Sequence, residues 1–452
     1  MGAGGKPIED FSKLRRSTVK KVLIISPDRI ALSMAGPGIR YWNFAIELSR
    51  SCDVTLLVKN SDAPVHTDFK IVLKGTEDKN TFYSSFECIV IQGLTLWEMP
   101  FLKNLNIPIV VDLYDPFIFE NLEIKSDEQL SIEIAKSNLE ILKEQIYVGD
   151  YFICASNKQK DFWLGLLAAT FRINPETYRE DHSLNNLLGV VPFGMPEYLP
   201  VKKANVIKGI IEGIHVTDKV VLWWGGIWDW LDPITLINAM SIICEIRPDI
   251  KCLIIGTEHP DKSFVPHKMV DKVLSRSGEL GLTNRVVFFK GWVPYEDRMD
   301  YLLEADVGVS LHYNNLETRF AFRTRILDYL WCELPMVVTS GDVLSEIVKE
   351  NHIGCVIDAE DDRALADALI DMVDHGKCDF SKVRHSYHWN KVTEDLRLFC
   401  ENPRKAVDHS VIRKYVSKPT SRTKLYLLKG IKLLREGNVS GLYRKLKSKF
   451  LS

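Results

Sequence analysis

Apolar positions along this chain alternate between short unbroken runs and longer stretches with helical spacing. Val19–Ser26 reads as a first strand. A Gly-Pro-Gly loop follows, then a helix from about Arg40 to Arg50 and a second strand, Val54–Val58. Cys88–Gln92, Ile109–Leu113, Tyr151–Ala155 and Val190–Phe193 continue the series, with a strong helix over Leu130–Tyr147. Short runs that are apolar throughout suit strands buried on both faces, as in a parallel sheet. The Lys-rich stretch Val201–Asp218 interrupts the rhythm and reads as a weakly ordered linker.

The rhythm then restarts. Strands are expected at Val220–Trp224, Lys251–Gly256, Val286–Phe289, Val307–Leu311, Met336–Thr339 and Cys355–Ile357. Helices are expected at Pro233–Ile246, Met269–Leu280 and Tyr295–Glu304. Strands alternating with helices predict an α/β chain with two parallel-sheet, Rossmann-like domains, residues 1–200 and 201–384. Such domains present loops at the carboxyl ends of their strands, here toward a central cleft suited to joining two substrates.

Composition narrows the class. Hydrophobic residues make up 46% of the chain, enough for a large core. No run reaches the ~18 to 20 apolar residues of a membrane span, and Met1–Lys20 lacks the apolar region of a signal peptide. The nine cysteines are scattered without a CxxC pair, which fits reduced thiols and a cytoplasmic protein. The net charge of −2 conceals an asymmetry. From Arg413 onward, 12 Lys and Arg face one acid, Glu436, so this +11 tail leaves about −13 on the preceding body. Leucines and aromatics recur at helical spacing within the tail, residues 411–452. Such a segment suits the anionic inner face of a membrane, a partner helix or a second copy of the chain. The acidic body, which has no interleaved aromatic and basic platform, argues against nucleic acid.

The densest chemistry lies between Arg319 and Pro335. Arg323, Arg325 and Asp328 stand at a predicted helix start. Guanidinium groups there suit a diphosphate, and the carboxylate suits sugar hydroxyls. A solvated basic helix face explains the spacing equally well. Gly225-Gly226 follows the strand Val220–Trp224, among Trp224, Trp228 and Trp230 and ahead of a helix starting at Pro233. That pattern suits a wall for a sugar or base. Gly36 and Gly38 with Arg40 form a comparable loop after the first strand. It is no dinucleotide fingerprint, because Tyr41 replaces the third glycine and no acid ends the second strand. Asp112, Tyr114 and Asp115 end a strand where cleft residues belong. They are candidates for holding acceptor hydroxyls, while Asp115 also fits a helix cap. His312 and Glu317 follow another strand end, beside the arginines.

With these residues assembled, the chain resembles glycosyltransferases of family 4, which have the two-domain GT-B fold. The resemblance runs from about Lys20 to Phe399. It rests on Ala35–Trp42, Asp112–Phe117, Trp224–Trp230, Lys290-Gly291-Trp292-Val293 and Arg323–Pro335. It is greatest to bacterial surface-polysaccharide enzymes that share the Arg-Thr-Arg-x-Leu-Asp-Tyr-Leu-Trp signature. The resemblance implies a retaining, metal-independent transfer from a nucleotide diphosphate sugar to a glycan or lipid-linked acceptor, with no cofactor. It implies that residues 385–410 return to the first domain and that Gly291 and Trp292 lie near the base. It also implies that Asp328 holds the ribose. Phe320 stands where a partner acid is expected, with Glu317 nearby. Gly226 and Leu231 replace the usual Arg and Lys, which leaves phosphate neutralisation to Arg323 and Arg325. The same departures suit an inactive scaffold of this fold.

Overall fold

The computed structural model describes residues 19–78, 81–123, 128–259 and 268–412. The basic tail lies outside them, apart from its first two residues.

The first sheet has seven strands: β1 (Lys21–Ile25), β2 (Asp53–Val58), β3 (Lys70–Leu73), β4 (Cys88–Gln92), β5 (Ile109–Asp112), β6 (Tyr151–Cys154) and β7 (Leu188–Val190). Their order is β3-β2-β1-β4-β5-β6-β7, and every pair is parallel. The second sheet has six: β8 (Lys219–Trp223), β9 (Ile250–Ile255), β10 (Val287–Lys290), β11 (Val307–Ser310), β12 (Met336–Thr339) and β13 (Gly354–Ile357). Their order is β10-β9-β8-β11-β12-β13, again all parallel. Strand order reverses beside β1 in one sheet and beside β8 in the other. The loops after those strands therefore open into crevices.

Two expectations need correction. Strand β7 begins at Leu188, two residues before the predicted run, and β3, a half-exposed edge strand, was not expected although Ile71-Val72-Leu73 is an apolar run. The Lys-rich stretch 201–218 contains no helix or strand, yet it is pinned. Glu304 accepts hydrogen bonds from the backbone N–H groups of Val206, Ile207 and Lys208, and the Ile207 and Ile214 side chains are buried. Its lysines face outward while two isoleucines anchor it, so composition alone misjudges its order.

The chain returns to the first sheet through Met195 and His388, which bridge in parallel, and Trp389 packs on Phe193. Phe399 then stacks on Tyr151 at 4.6 Å. A buried ion pair fastens the end of this return. Arg172 donates through Nε and Nη2 to Asp408 at 3.0 and 3.1 Å, and through Nη1 to the Gly149 carbonyl at 2.8 Å. Asn174 also donates to Asp408. Both charges are fully desolvated, so each depends on the other. Asp408→Ala is therefore expected to destabilise the first domain by about 3–5 kcal/mol in denaturant unfolding. Replacing both partners with apolar residues should cost less.

Candidate functional site

The loop after β8 is held open by geometry that only glycine meets. Gly225 has φ of +90°, a conformation side chains disfavour. Gly256, at the end of β9, packs so close that a Cβ there would lie 2.6 Å from the Gly225 carbonyl carbon and 2.9 Å from the Gly226 nitrogen. The buried Tyr329 hydroxyl accepts from the Trp224 N–H and reaches the carbonyls of Leu222 and Val309. Asp232 caps the following helix, Pro233–Ile246, through the Thr235 N–H.

The Arg319–Pro335 segment forms two short helices, Leu316–Phe320 and Arg325–Trp331, separated by extended backbone at Ala321. This break sends the two arginines to different partners. Arg323 grips Glu317 through both terminal nitrogens, at 3.0 and 2.5 Å, and both side chains are buried. Among the described residues, Arg325 has no carboxylate partner. Its Nη2 donates to the Gly226 carbonyl at 2.9 Å, its guanidinium lies 4.4 Å from the centre of the Trp223 ring, and its buried Nη1 has no hydrogen-bond partner. Burial, together with the nearby positive charge of Arg323, pushes the Arg325 pKa down to about 10. A desolvated cation with a spare donor beside a glycine turn is poised for an anion.

Asp328 accepts from the Trp224 indole N–H at 3.0 Å and pairs with Arg298 at 3.4 Å. Its side chain is 26% exposed, against 1% for Arg298. Burial raises the Asp328 pKa against the pull of Arg298. Arg298 is sandwiched between Tyr295 and Trp331, at 3.6 and 4.5 Å from the ring centres, and its Nη2 has no hydrogen-bond partner. Arg298 was not expected from the sequence, where only its place shortly after Gly291-Trp292 hints at a role. His259 was missed too. It stands 5.9 Å from Trp228 and 5.8 Å from Trp292, and Trp228 stacks on Trp230 at 5.7 Å, so one aromatic wall spans three loops. Gly291 lies beside Glu258, where a Cβ would make only ordinary contact, at 3.6 Å from the carboxyl carbon, so the space there does not require glycine.

His312 follows β11 beside the Arg323 segment, near the Thr318 hydroxyl that also accepts from Arg323, but its ring is turned inward. It is fully buried, its Nε2 lies 2.9 Å from Asp342, and Asp342 also caps the helix Val343–Asn351. Its sequence position at a strand end gave no sign that the ring turns inward.

Across the cleft, Gly38 allows the helix Gly36–Ser49 to approach the preceding loop, because a Cβ would lie 2.5 Å from the Arg29 carbonyl oxygen. No such contact surrounds Gly36. Arg40 and Asp112 have no exposed surface. Arg40 donates to Asp112 at 2.7 and 3.1 Å and to the carbonyls of Val191 and Pro192, each at 2.8 Å. They account for one another and fix the loop geometry, so neither presents a free charge to a ligand. Tyr114 lies against Arg40 at 4.4 Å. Asp115 accepts from Gln92 at 2.9 Å. Burial, then the neighbouring Asp112 charge, pushes the Asp115 pKa up to about 7. Glu120, unforeseen in the sequence, is also raised by burial and by the charges of Asp115 and Glu317. Carboxylates from both domains thus converge opposite the arginines. The Tyr295 N–H donates to the Leu32 carbonyl at 2.8 Å, joining the aromatic wall to the first glycine loop.

Comparison with known proteins places this geometry. Residues 218–375 match the family described as Glycosyl transferases group 1. A stretch of 129 residues is 26% identical to chitobiosyldiphosphodolichol beta-mannosyltransferase of Candida albicans and covers 26% of this chain and 28% of that protein. Solved structures with a similar fold include sucrose-phosphate synthase of Thermosynechococcus elongatus, at 15% identity and a TM-score of 0.57, covering 88% of this chain and 97% of that one. WaaG, a glycosyltransferase of lipopolysaccharide biosynthesis, follows at 13% identity, 0.54, and 88% and 100% coverage. Anabaena HepE, solved with UDP and glucose, is 13% identical with a TM-score of 0.54, covering 88% of this chain and 98% of that one. The chain thus carries a glycosyl transferases group 1 domain at residues 218–375, within a two-domain GT-B fold.

Proposed function

We propose that this protein is a retaining, metal-independent family 4 glycosyltransferase that moves a sugar from a nucleotide diphosphate sugar to a glycan or lipid-linked acceptor. Cell-surface polysaccharide synthesis on the inner face of the membrane is the setting that its sequence signature favours. The observation that carries this reading is Arg325, a buried cation without a counter-charge beside the Gly225–Gly226 turn. The group 1 domain match and the likeness to HepE, a protein solved with UDP and glucose, support it.

In this reading the diphosphate lies against Gly225 and Gly226, where Arg325 meets its charge. Asp328 accepts from the ribose hydroxyls, oriented by Trp224 and Arg298. The wall of Trp228, Trp292 and His259 covers base or sugar. Arg323 is already neutralised by Glu317, so the pair acts as a rigid polar unit, and less of the phosphate charge falls to Arg323 than its sequence position suggests. The glycosidic carbon–phosphate oxygen bond breaks as the acceptor oxygen bonds to the same carbon from the same face. The acceptor proton passes to the departing phosphate oxygen. The protein contributes orientation and a fixed positive field where leaving-group charge develops. Asp115 and Glu120 face the acceptor side.

A thermal-shift panel of UDP, GDP, ADP, dTDP and CDP tests the reading. A nucleotide at 100 times its Kd adds about 2.7 kcal/mol of stability. No shift from any of them would favour a non-catalytic scaffold of the same fold. Arg325→Ala should lower affinity for the best nucleotide diphosphate by about 10- to 100-fold, the value of a charge-assisted hydrogen bond. Binding of the matching nucleoside should change little. Fold stability should not fall, because the substitution also removes an uncompensated buried charge.

Asp115 carries a pH prediction. Its raised pKa means that the folded protein keeps a proton which the unfolded chain releases near pH 4. Between there and about pH 7 the unfolded state therefore binds fewer protons, and stability falls as pH rises. Asp115→Asn should flatten this slope and raise the Tm at pH 8. An unchanged slope would show that Asp115 ionises normally in the folded protein.

A further inference from the structure

Two side chains of the first domain reach across the cleft to the peptide that leads into the arginines. Gln159, in the helix Asn157–Ala169, has no exposed surface. Its Oε1 accepts from the Ala155 N–H at 2.8 Å, which fixes the orientation of the carboxamide. Its Nε2 then donates to the Tyr114 carbonyl at 2.9 Å within its own domain and to the Phe320 carbonyl at 2.8 Å in the other. Two residues further on, the Phe322 carbonyl accepts from the Tyr114 hydroxyl at 3.3 Å. The Phe320 ring packs on Phe119 and Phe162 of the first domain, at 5.4 and 5.1 Å.

We propose that Gln159, assisted by Tyr114, is a positioning residue for the transfer: it registers the Phe320–Phe322 peptide so that the Glu317–Arg323 pair adopts its place only when the domains are closed, while Arg325 stays held within its own domain by the Gly226 carbonyl and the Trp223 face. This rests on the proposed transferase function. Phe320 ends the first short helix, and residues 321–324 separate it from the second. Glu317 sits in the first helix and Arg323 directly follows the latched peptide. A shift of that peptide would therefore displace the Glu317–Arg323 pair. The latch reads main-chain carbonyls, so it senses position and not side-chain identity. When the domains part, the Phe320 carbonyl loses its buried donor and the Tyr114 hydroxyl loses its acceptor. Leaving such groups unpaired in a dry site is costly, which favours two discrete arrangements over gradual drift. The exposed Lys158–Glu346 ion pair at 2.7 Å joins the same faces but adds little by itself.

The test begins with the wild-type chain, titrated with UDP, GDP, ADP, dTDP and CDP. If none binds, the transferase reading fails and takes the latch with it. If one binds, that nucleotide and its common sugar conjugates are offered to Gln159→Glu and Tyr114→Phe. Gln159→Glu keeps the side-chain shape but sets a carboxylate against two carbonyls. It is expected to bind the nucleotide with a Kd close to wild type while sugar turnover falls about 100-fold, as for a misplacement remote from the reacting atoms. Small-angle scattering should show the nucleotide-bound variant more open than wild type. Tyr114→Phe should act in the same direction with a smaller loss, and it carries the test alone if Gln159→Glu does not fold. Wild-type turnover in the folded variants would overturn the proposal, as would a loss of turnover matched by an equal loss of nucleotide affinity.

Discussion

The proposed donor side of this protein depends on a guanidinium buried without a carboxylate partner among the described residues. A cation in that position is costly unless every neighbour compensates, and the neighbours of Arg325 do so in part. The Gly226 carbonyl takes one donor, the Trp223 face lies under the positive plane, and one nitrogen is left over. Each compensating group in turn needs its own support. The Gly226 carbonyl is in place because Gly225 adopts a left-handed conformation and Gly256 leaves room for the turn. The turn is anchored by the Tyr329 hydroxyl, which also ties β8 to β11. Sheet geometry and phosphate chemistry are linked here through a single residue's incomplete hydrogen bonding.

Three other buried arginines show the contrast. Arg40, Arg172 and Arg323 each hold a carboxylate through two nitrogens, and each pair joins segments distant in the fold or stiffens a loop. Such pairs are neutral units that fix geometry, and their field beyond a few ångströms is weak. Arg325 keeps its field because no carboxylate among the described residues pairs with it. Arginine content in the cleft is therefore a poor guide to phosphate-binding capacity, and partner occupancy is the better one.

Both sheets were legible in the sequence because parallel strands buried on two faces leave long apolar runs. The glycine turns were legible for a similar local reason: a backbone requirement leaves a residue type behind. What stayed hidden was pairing. Arg40 and Asp112 looked like separate ligands because nothing local says that residues 72 apart meet. His312 looked like a cleft residue because Asp342, its partner, lies 30 residues on. Arg298 and Gln159 went unseen for the opposite reason. Their roles come from aromatic faces and main-chain carbonyls, which leave no motif.

The two halves of the cleft are built by different means, and this bears on how they work together. The half proposed to bind the donor is assembled from turns within residues 218–375, the span that matches a family on its own. The half proposed to bind the acceptor relies on contacts between distant segments, such as Arg40 with Asp112, Val191 and Pro192. A locally built half can hold its ligand whatever the other half does. Chemistry needs both, and the Phe320–Phe322 peptide belongs to the donor half while its carbonyls are read by the acceptor half. That shared peptide makes the placement of the Glu317–Arg323 pair depend on the whole molecule, whereas Arg325 is held within one domain.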